Sequence, residues 1–133
     1  MRTAMASLRV LVVDDHESVR RGVCAILGSR PDLEICGEAA DGKEAVAKAM
    51  ALQPQVVVMD VSMPGMDGIS AAREILKAQP STAIIILSMH DSKQLMESAR
   101  KIGIRGYVTK GQAGSALLDA VEAVNENREF FPS

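Results

Sequence analysis

Apolar and polar positions follow two rhythms along this chain. Short apolar runs stand at Leu8-Arg-Val-Leu-Val-Val13, Val56-Val-Val-Met59, Ala83-Ile-Ile-Ile-Leu87 and Arg105-Gly-Tyr-Val108. Their length and β-branched content predict strands, and the unbroken run from Val56 to Met59 predicts one buried on both faces. A less hydrophobic run, Glu34-Ile-Cys-Gly-Glu-Ala39, reads as an edge strand. Between the runs the apolar spacing lengthens to that of a helix. Val19, Val23, Ile26 and Leu27 share one helical face, and so do Ile69, Ala72, Ile75 and Leu76, and Leu117, Ala120, Val121 and Val124.

The punctuation agrees with these elements. Asp41 before Gly42-Lys43-Glu44 has the form of a capping box. Gly103 stands where a left-handed residue ends a helix, and Pro31, Pro54 and Pro80 separate helix from strand. Strands alternating with helices predict βαβ units, and right-handed crossovers close them into an α/β three-layer sandwich: a doubly wound, five-stranded parallel sheet of (βα)5 type with helices on both faces. Residues 8–128 are expected to form that single domain, after a flexible start at 1–7. Residues 129–133, with two exposed phenylalanines before a proline, are expected to begin a linker.

Composition narrows the class only a little. A 47% hydrophobic and 24% charged chain of 133 residues is ordinary for one soluble domain. The net charge of -2 gives no sign of a nucleic-acid surface on the chain itself. No apolar run has the length of a membrane span, so no membrane partner is expected. Cys24 and Cys36 form no CxxC pair and read as small buried residues in a reducing, cytoplasmic compartment.

Candidate chemistry lies where the strands end. Asp14 and Asp15 follow the first strand, Asp60 the third, Ser88 the fourth, and Thr109-Lys110 the fifth. The C-terminal ends of parallel strands share one edge, where ligand sites of such sheets form. Three converging carboxylates repel one another unless a cation sits among them. Hard oxygen donors suit Mg²⁺, and no His/Cys constellation favours zinc; the neighbouring His16 reads as an exposed loop residue. An aspartate can attack a phosphoryl group, and such transfer needs mainly positioning and charge neutralisation. Lys110 offers a positive point charge and Ser88 a hydroxyl donor. Each residue alone has an ordinary reading: Asp14 or Asp15 as a helix N-cap, Lys110 as a solvated lysine, Ser88 as a loop hydroxyl. The convergence of all five carries the argument.

Over about residues 8 to 128 the chain resembles the receiver (CheY-like) domain of bacterial two-component response regulators. The matching residues are Asp14-Asp15, the segment Met59-Asp60-Val61-Ser62-Met63-Pro64-Gly65-Met66-Asp67-Gly68, Ser88, and Tyr107-Val108-Thr109-Lys110. The resemblance implies the flavodoxin-like strand order 2-1-3-4-5. It makes Asp60 the phosphoacceptor, with a sensor histidine kinase as donor. Asp15, Asp60 and the backbone carbonyl of Ser62 would bind Mg²⁺ directly, and Asp14 through a water. Lys110 would pair with the phosphoryl group, while Ser88 and Tyr107 would form the switch, Tyr107 swinging inward as Ser88 moves. The receiver would catalyse only its own phosphorylation and slow dephosphorylation. The readout would be the surface of the fourth helix, fifth strand and fifth helix, with Lys93, Arg100, Lys101 and Arg105 as candidates, and a homodimer is one possible response. The family commonly has proline after the lysine; here it is Gly111.

Asp-Asp-His at 14–16, Pro31-Asp32-Leu33 and Phe130-Phe131-Pro132-Ser133 resemble the FixJ/LuxR-type class, whose members bind DNA through a C-terminal helix-turn-helix domain. That likeness implies an excised receiver controlling transcription; the alternative is a natural single-domain receiver or docking module. Two rival chemistries fit less well. A metal-dependent aspartyl-phosphate hydrolase needs a second acid two residues after its nucleophile, where Ser62 stands. A flavodoxin-like nucleotide binder needs a Ser/Thr/Gly-rich phosphate loop, where Asp14-Asp15-His16-Glu17 would repel phosphate.

Overall fold

The computed structural model describes residues 7–132. The strands are β1 (Leu8–Val13), β2 (Leu33–Ala39), β3 (Val56–Asp60), β4 (Ala83–Ser88) and β5 (Gly106–Thr109). They alternate with α1 (Glu17–Gly28), α2 (Gly42–Leu52), α3 (Gly68–Ala78), α4 (Lys93–Ile102) and α5 (Ala113–Asn125), with a 3-10 turn at Lys110–Gln112 leading into the last. The sheet is parallel in the order β2-β1-β3-β4-β5, with the weakly hydrophobic β2 at an edge as expected.

Period-two alternation divides the core. Leu11, Val13, Val57, Met59, Ile84, Ile86 and Tyr107 face α2, α3 and α4, while Val10, Val12, Val56, Val58, Ile85, Leu87 and Val108 face α1 and α5. β3 is buried at every position, in line with its unbroken apolar run. Cys24 and Cys36 pack on opposite faces of the sheet and are free and half-buried rather than buried. Burial raises both thiols above the ordinary cysteine range, which disfavours the reactive thiolate. No helix among the described residues is long and apolar enough to cross a membrane.

Several local expectations shift by a residue, each for a physical reason. β3 and β4 run on into Asp60 and Ser88, because Asp60 pairs with Leu87 and Ser88 with Thr109 across the ladder. Those two side chains therefore belong to the rigid sheet rather than to the loops beyond it. Asp41 caps α2 by accepting from the Glu44 N–H at 2.8 Å, while Glu44 reaches one residue further back, to the Ala40 N–H. Gly103 ends α4 at φ 98.

The phenylalanines of the expected linker are not exposed. Phe130 and Phe131 are half-buried, and Phe130 forms a parallel bridge with Gly106 on the outer edge of β5. An otherwise unpaired strand edge and two aromatic rings supply the driving force. Most of the expected flexible start, residues 1–6, lies outside the described residues.

Candidate functional site

The C-terminal edge of the sheet brings together the residues singled out from the strand ends. Asp14 leaves β1 fully buried, and its carboxylate folds back to accept the His16 N–H at 2.9 Å. His16 is the N-cap of α1 and makes no side-chain cap bond, so neither Asp14 nor Asp15 caps that helix. Arg20, one turn into α1, fixes the loop by donating to the Asp14 carbonyl at 2.8 Å and to Glu38 at 2.9 Å. Sequence reasoning passed over Arg20, although its place one helical turn after His16 could have drawn notice.

Asp60 is 2% exposed, and its Oδ1 accepts the Ser62 N–H at 3.2 Å. The segment after it is a closed loop. Gly65 takes the left-handed conformation at φ 78, Asp67 caps α3 through the Ser70 N–H, and the Gly68 N–H returns to the Val61 carbonyl at 2.9 Å. Gly68 is required by closeness: a Cβ there would lie 2.3 Å from the Asp60 carbonyl oxygen. Met63, only 9% exposed, anchors the loop in the core.

Lys110 reaches across from the end of β5. Its Nζ stands 3.1 Å from Asp14 Oδ2 and 3.3 Å from Asp60 Oδ1. Burial, then the neighbouring Asp14 charge, pushes Asp60 above the usual aspartate range; the Ser62 N–H and Lys110 only partly offset this. Burial works against the Lys110 ammonium, but its contacts with Asp14 and Asp60 more than compensate and raise it above the ordinary lysine value. The Lys110–Gly111 bond is trans, as is every peptide bond among the described residues.

The acidic cluster also fits a cation. Ligand atoms of Asp14, Asp15, His16 and Asp60 all lie within 4.8 Å of one another. Asp14 Oδ2 and Asp15 Oδ1 are buried and no hydrogen bond fully satisfies them, although Lys110 Nζ lies 3.1 Å from the first and His16 Nδ1 3.2 Å from the second. Under-satisfied buried oxygens are costly, and a hard cation such as Mg²⁺ fits them. His16 remains exposed, with Nδ1 3.2 Å from Asp15 Oδ1.

Ser88 is buried at the end of β4, its Oγ accepting the His90 N–H at 3.3 Å. Tyr107, whose ring was expected to swing inward, is found inward. Its ring is already fully buried, and its hydroxyl donates to the His90 carbonyl and accepts the Ser92 N–H at the head of α4. The inward position is the one observed, because two backbone partners and a stacked Phe131 hold the ring there. Of the candidate readout cations, Arg100 lies over Phe131 and Arg105 donates to Asn127. Sequence reasoning missed Phe131 as a neighbour of Tyr107.

Comparison with known proteins decides the family. Residues 10–122 match the family model described as the response regulator receiver domain. This chain belongs to that family. Among curated relatives, the receiver domain is 38% identical to the transcriptional regulatory protein LiaR of Bacillus subtilis, covering 95% of this chain and 60% of LiaR. It is 32% identical to DegU of Brevibacillus brevis, covering 93% of this chain and 52% of DegU. The chain thus spans only part of the length of these relatives. Among solved structures, it superposes on a two-component response regulator of the LuxR family from Aurantimonas sp. SI85-9A1 with a TM-score of 0.90 at 35% identity, covering 95% of this chain and 90% of that one. The isolated receiver domain of RcsB from Salmonella enterica serovar Typhimurium, solved with the phosphomimetic BeF3-, gives a TM-score of 0.86 at 28% identity, covering 96% and 94%. The flavodoxin-like strand order that the resemblance implied is the one observed, and it is the fold of this family.

Proposed function

We propose that the chain takes a phosphoryl group onto Asp60 from a phosphohistidine of a sensor kinase and converts that event into a changed surface. The observation that carries this reading is the Lys110 ammonium held between Asp14 and Asp60 at the buried end of the sheet, with the carboxylate of Asp15 alongside. An Asp60 oxygen attacks phosphorus and forms the new O–P bond; the P–N bond breaks, and the imidazole leaves with the electron pair. The pKa of Asp60 is raised, but Lys110 and the Ser62 N–H favour its ionised, nucleophilic form. Lys110 neutralises the charge that gathers on the phosphoryl oxygens, and Ser88 donates to one of them. Asp14, Asp15, Asp60 and the Ser62 carbonyl would hold Mg²⁺, which when bound supplies the remaining positive charge at the transferred group.

The new phosphoryl adds about -1.5 to -2 of charge and three strong acceptors at the sheet edge. Ser88, the last residue of β4, accepts the His90 N–H of the following loop, and Tyr107 is bound to His90 and Ser92 of that loop, so a change at the Ser88 hydroxyl reaches the head of α4. In the whole protein we infer a transcriptional output through a C-terminal DNA-binding domain outside this sequence, in a cytoplasmic setting. The likeness to LiaR and DegU, both named as transcriptional regulatory proteins, supports this reading. The test is incubation with Mg²⁺ and acetyl phosphate, read by intact mass. One phosphoryl group should be gained, and lost in Asp60→Ala or with chelator. No gain in folded, Mg²⁺-bound protein would leave a docking module that acts without transfer.

A further inference from the structure

We propose that residues 129–132 form a strap belonging to the switch: by packing Phe131 against Tyr107, the segment holds Ser88 in position for the phosphoryl group, and phosphoryl binding tightens the strap in return. The proposal rests on the phosphoacceptor reading above.

The strap is built as a short extra strand. Asn127 takes the left-handed conformation at φ 63, and the Arg128 N–H caps the Ala123 carbonyl at 2.9 Å, turning the chain back from α5. The Phe130 N–H then donates to the Arg105 carbonyl and the Tyr107 N–H to the Phe130 carbonyl, both at 2.8 Å. Phe130 packs with the α1/α5 side of the core and Phe131 with the α2–α4 side, as successive strand residues do. The Phe131 ring is stacked on Tyr107 at 6.3 Å between centroids and 25° between planes. Arg100 of α4 places its guanidinium 4.2 Å from the Phe131 centroid and pairs with Glu129 at 3.5 Å.

A continuous series of contacts leads from there to the site. Tyr107 holds the His90 carbonyl through its hydroxyl, and the His90 N–H holds Ser88 Oγ at 3.3 Å. The strap therefore braces the ring that braces the loop that fixes the Ser88 hydroxyl. If Phe131 is removed, Tyr107 gains room and Ser88 loses its fixed orientation, so a phosphoryl group binds less tightly. Phe131 is a positioning residue here and touches no reacting atom. A strap that only shields the β5 edge from pairing would have none of these effects on Asp60.

The test uses beryllofluoride with Mg²⁺ as the phosphoryl probe on the full chain. Tyr107 is the one tyrosine in a chain without tryptophan, so its emission reports the stacked ring directly. Phe131→Ala should weaken beryllofluoride binding about fivefold or more, and Arg100→Gln, a surface change, should weaken it in the same direction by less. Reciprocity requires the ligand to slow hydrogen exchange of the Phe130 and Tyr107 amides wherever their exchange reports strap opening. Wild-type affinity in both variants, with amide exchange indifferent to bound beryllofluoride, would overturn the coupling alone. Wild-type protein that takes up no beryllofluoride would overturn the phosphoacceptor reading and the coupling with it.

Discussion

The same substitution, glycine to alanine, should have opposite effects at Gly68 and Gly22. At Gly68, the first residue of α3, the added Cβ would sit 2.3 Å from the Asp60 carbonyl oxygen and 2.9 Å from Val61 Cα. Heavy atoms rest about 3.5–4.0 Å apart, so the backbone must open by roughly 1 Å, and no side chain can rotate aside to relieve it. Overpacking of this kind costs about 1–3 kcal/mol. The better helix propensity of alanine returns up to about 1 kcal/mol. The displaced atoms belong to the residue that carries the proposed nucleophile, so stability and chemistry should fall together. At Gly22, exposed in the middle of α1, nothing lies within 4 Å of the new Cβ. There alanine gains about 0.5–1 kcal/mol, since it freezes less backbone entropy. Urea unfolding followed by far-UV circular dichroism measures both. Gly68→Ala should lower the midpoint by up to about 1 M and Gly22→Ala should raise it. Acetyl phosphate uptake, read by mass, should be impaired only at Gly68. A Gly68→Ala protein with wild-type midpoint and full uptake would refute the reasoning, because it would mean that the Asp60–Gly68 contact can relax freely.

Other consequences follow from the same geometry. Tyr107→Phe strips the hydroxyl from between the His90 carbonyl and the Ser92 N–H and should cost about 1–3 kcal/mol in thermal unfolding; an unchanged midpoint would mean those contacts are not made in solution. Because the Asp60 pKa is raised in the fold, its contribution to stability is present in full below the ordinary carboxylate pKa of about 4 and is lost as pH rises through the folded value. Asp60→Asn, measured without Mg²⁺, should therefore gain on wild type as pH rises from acid toward neutral, and a pH-independent difference would contradict the assigned burial. Mg²⁺ should raise the melting temperature, by an amount equivalent to about 2.7 kcal/mol at a hundredfold excess over Kd, and Asp15→Asn should sharply reduce that gain. Asp41→Ala should cost about 1 kcal/mol by uncapping α2 while phosphoryl uptake stays at the wild-type level.

Much of this architecture was legible because strand pattern and strand-end chemistry reinforce each other. The apolar run Val56–Met59 marks a central strand, and a residue just beyond such a run must lie on the ligand-binding edge. Asp14, Asp15, Asp60, Ser88 and Lys110 could thus be grouped before any distance was known. What escaped depends on contacts between segments distant in sequence. That Asp60 and Ser88 belong to the ladder follows from their partners Leu87 and Thr109, not from their own side chains. Periodicity says nothing about three residues such as Glu129 to Phe131, so their pairing on β5 and the burial of both rings were hidden. The place of Tyr107 at the end of the sheet was legible but its orientation was not, since a ring's rotamer is set by its neighbours, and here one neighbour is Phe131.

The site and the fold draw on the same stability. Gathering Asp14, Asp15 and Asp60 at one edge leaves buried oxygens under-satisfied and raises the pKa of Asp60, both of which weaken the fold. The sheet can carry this cost because β1 from Val10, β3 and β4 are apolar on both faces up to the residue before the acid or hydroxyl. A cation bound there would offset those unfavourable terms, whereas a phosphoryl group would add negative charge for Lys110 and the cation to meet. The relief acts on atoms at the strand ends, one hydrogen bond from the loop that carries His90 and Ser92. On the proposed reading, a change at those atoms would pass along these hydrogen bonds to the head of α4 and to what packs against Tyr107.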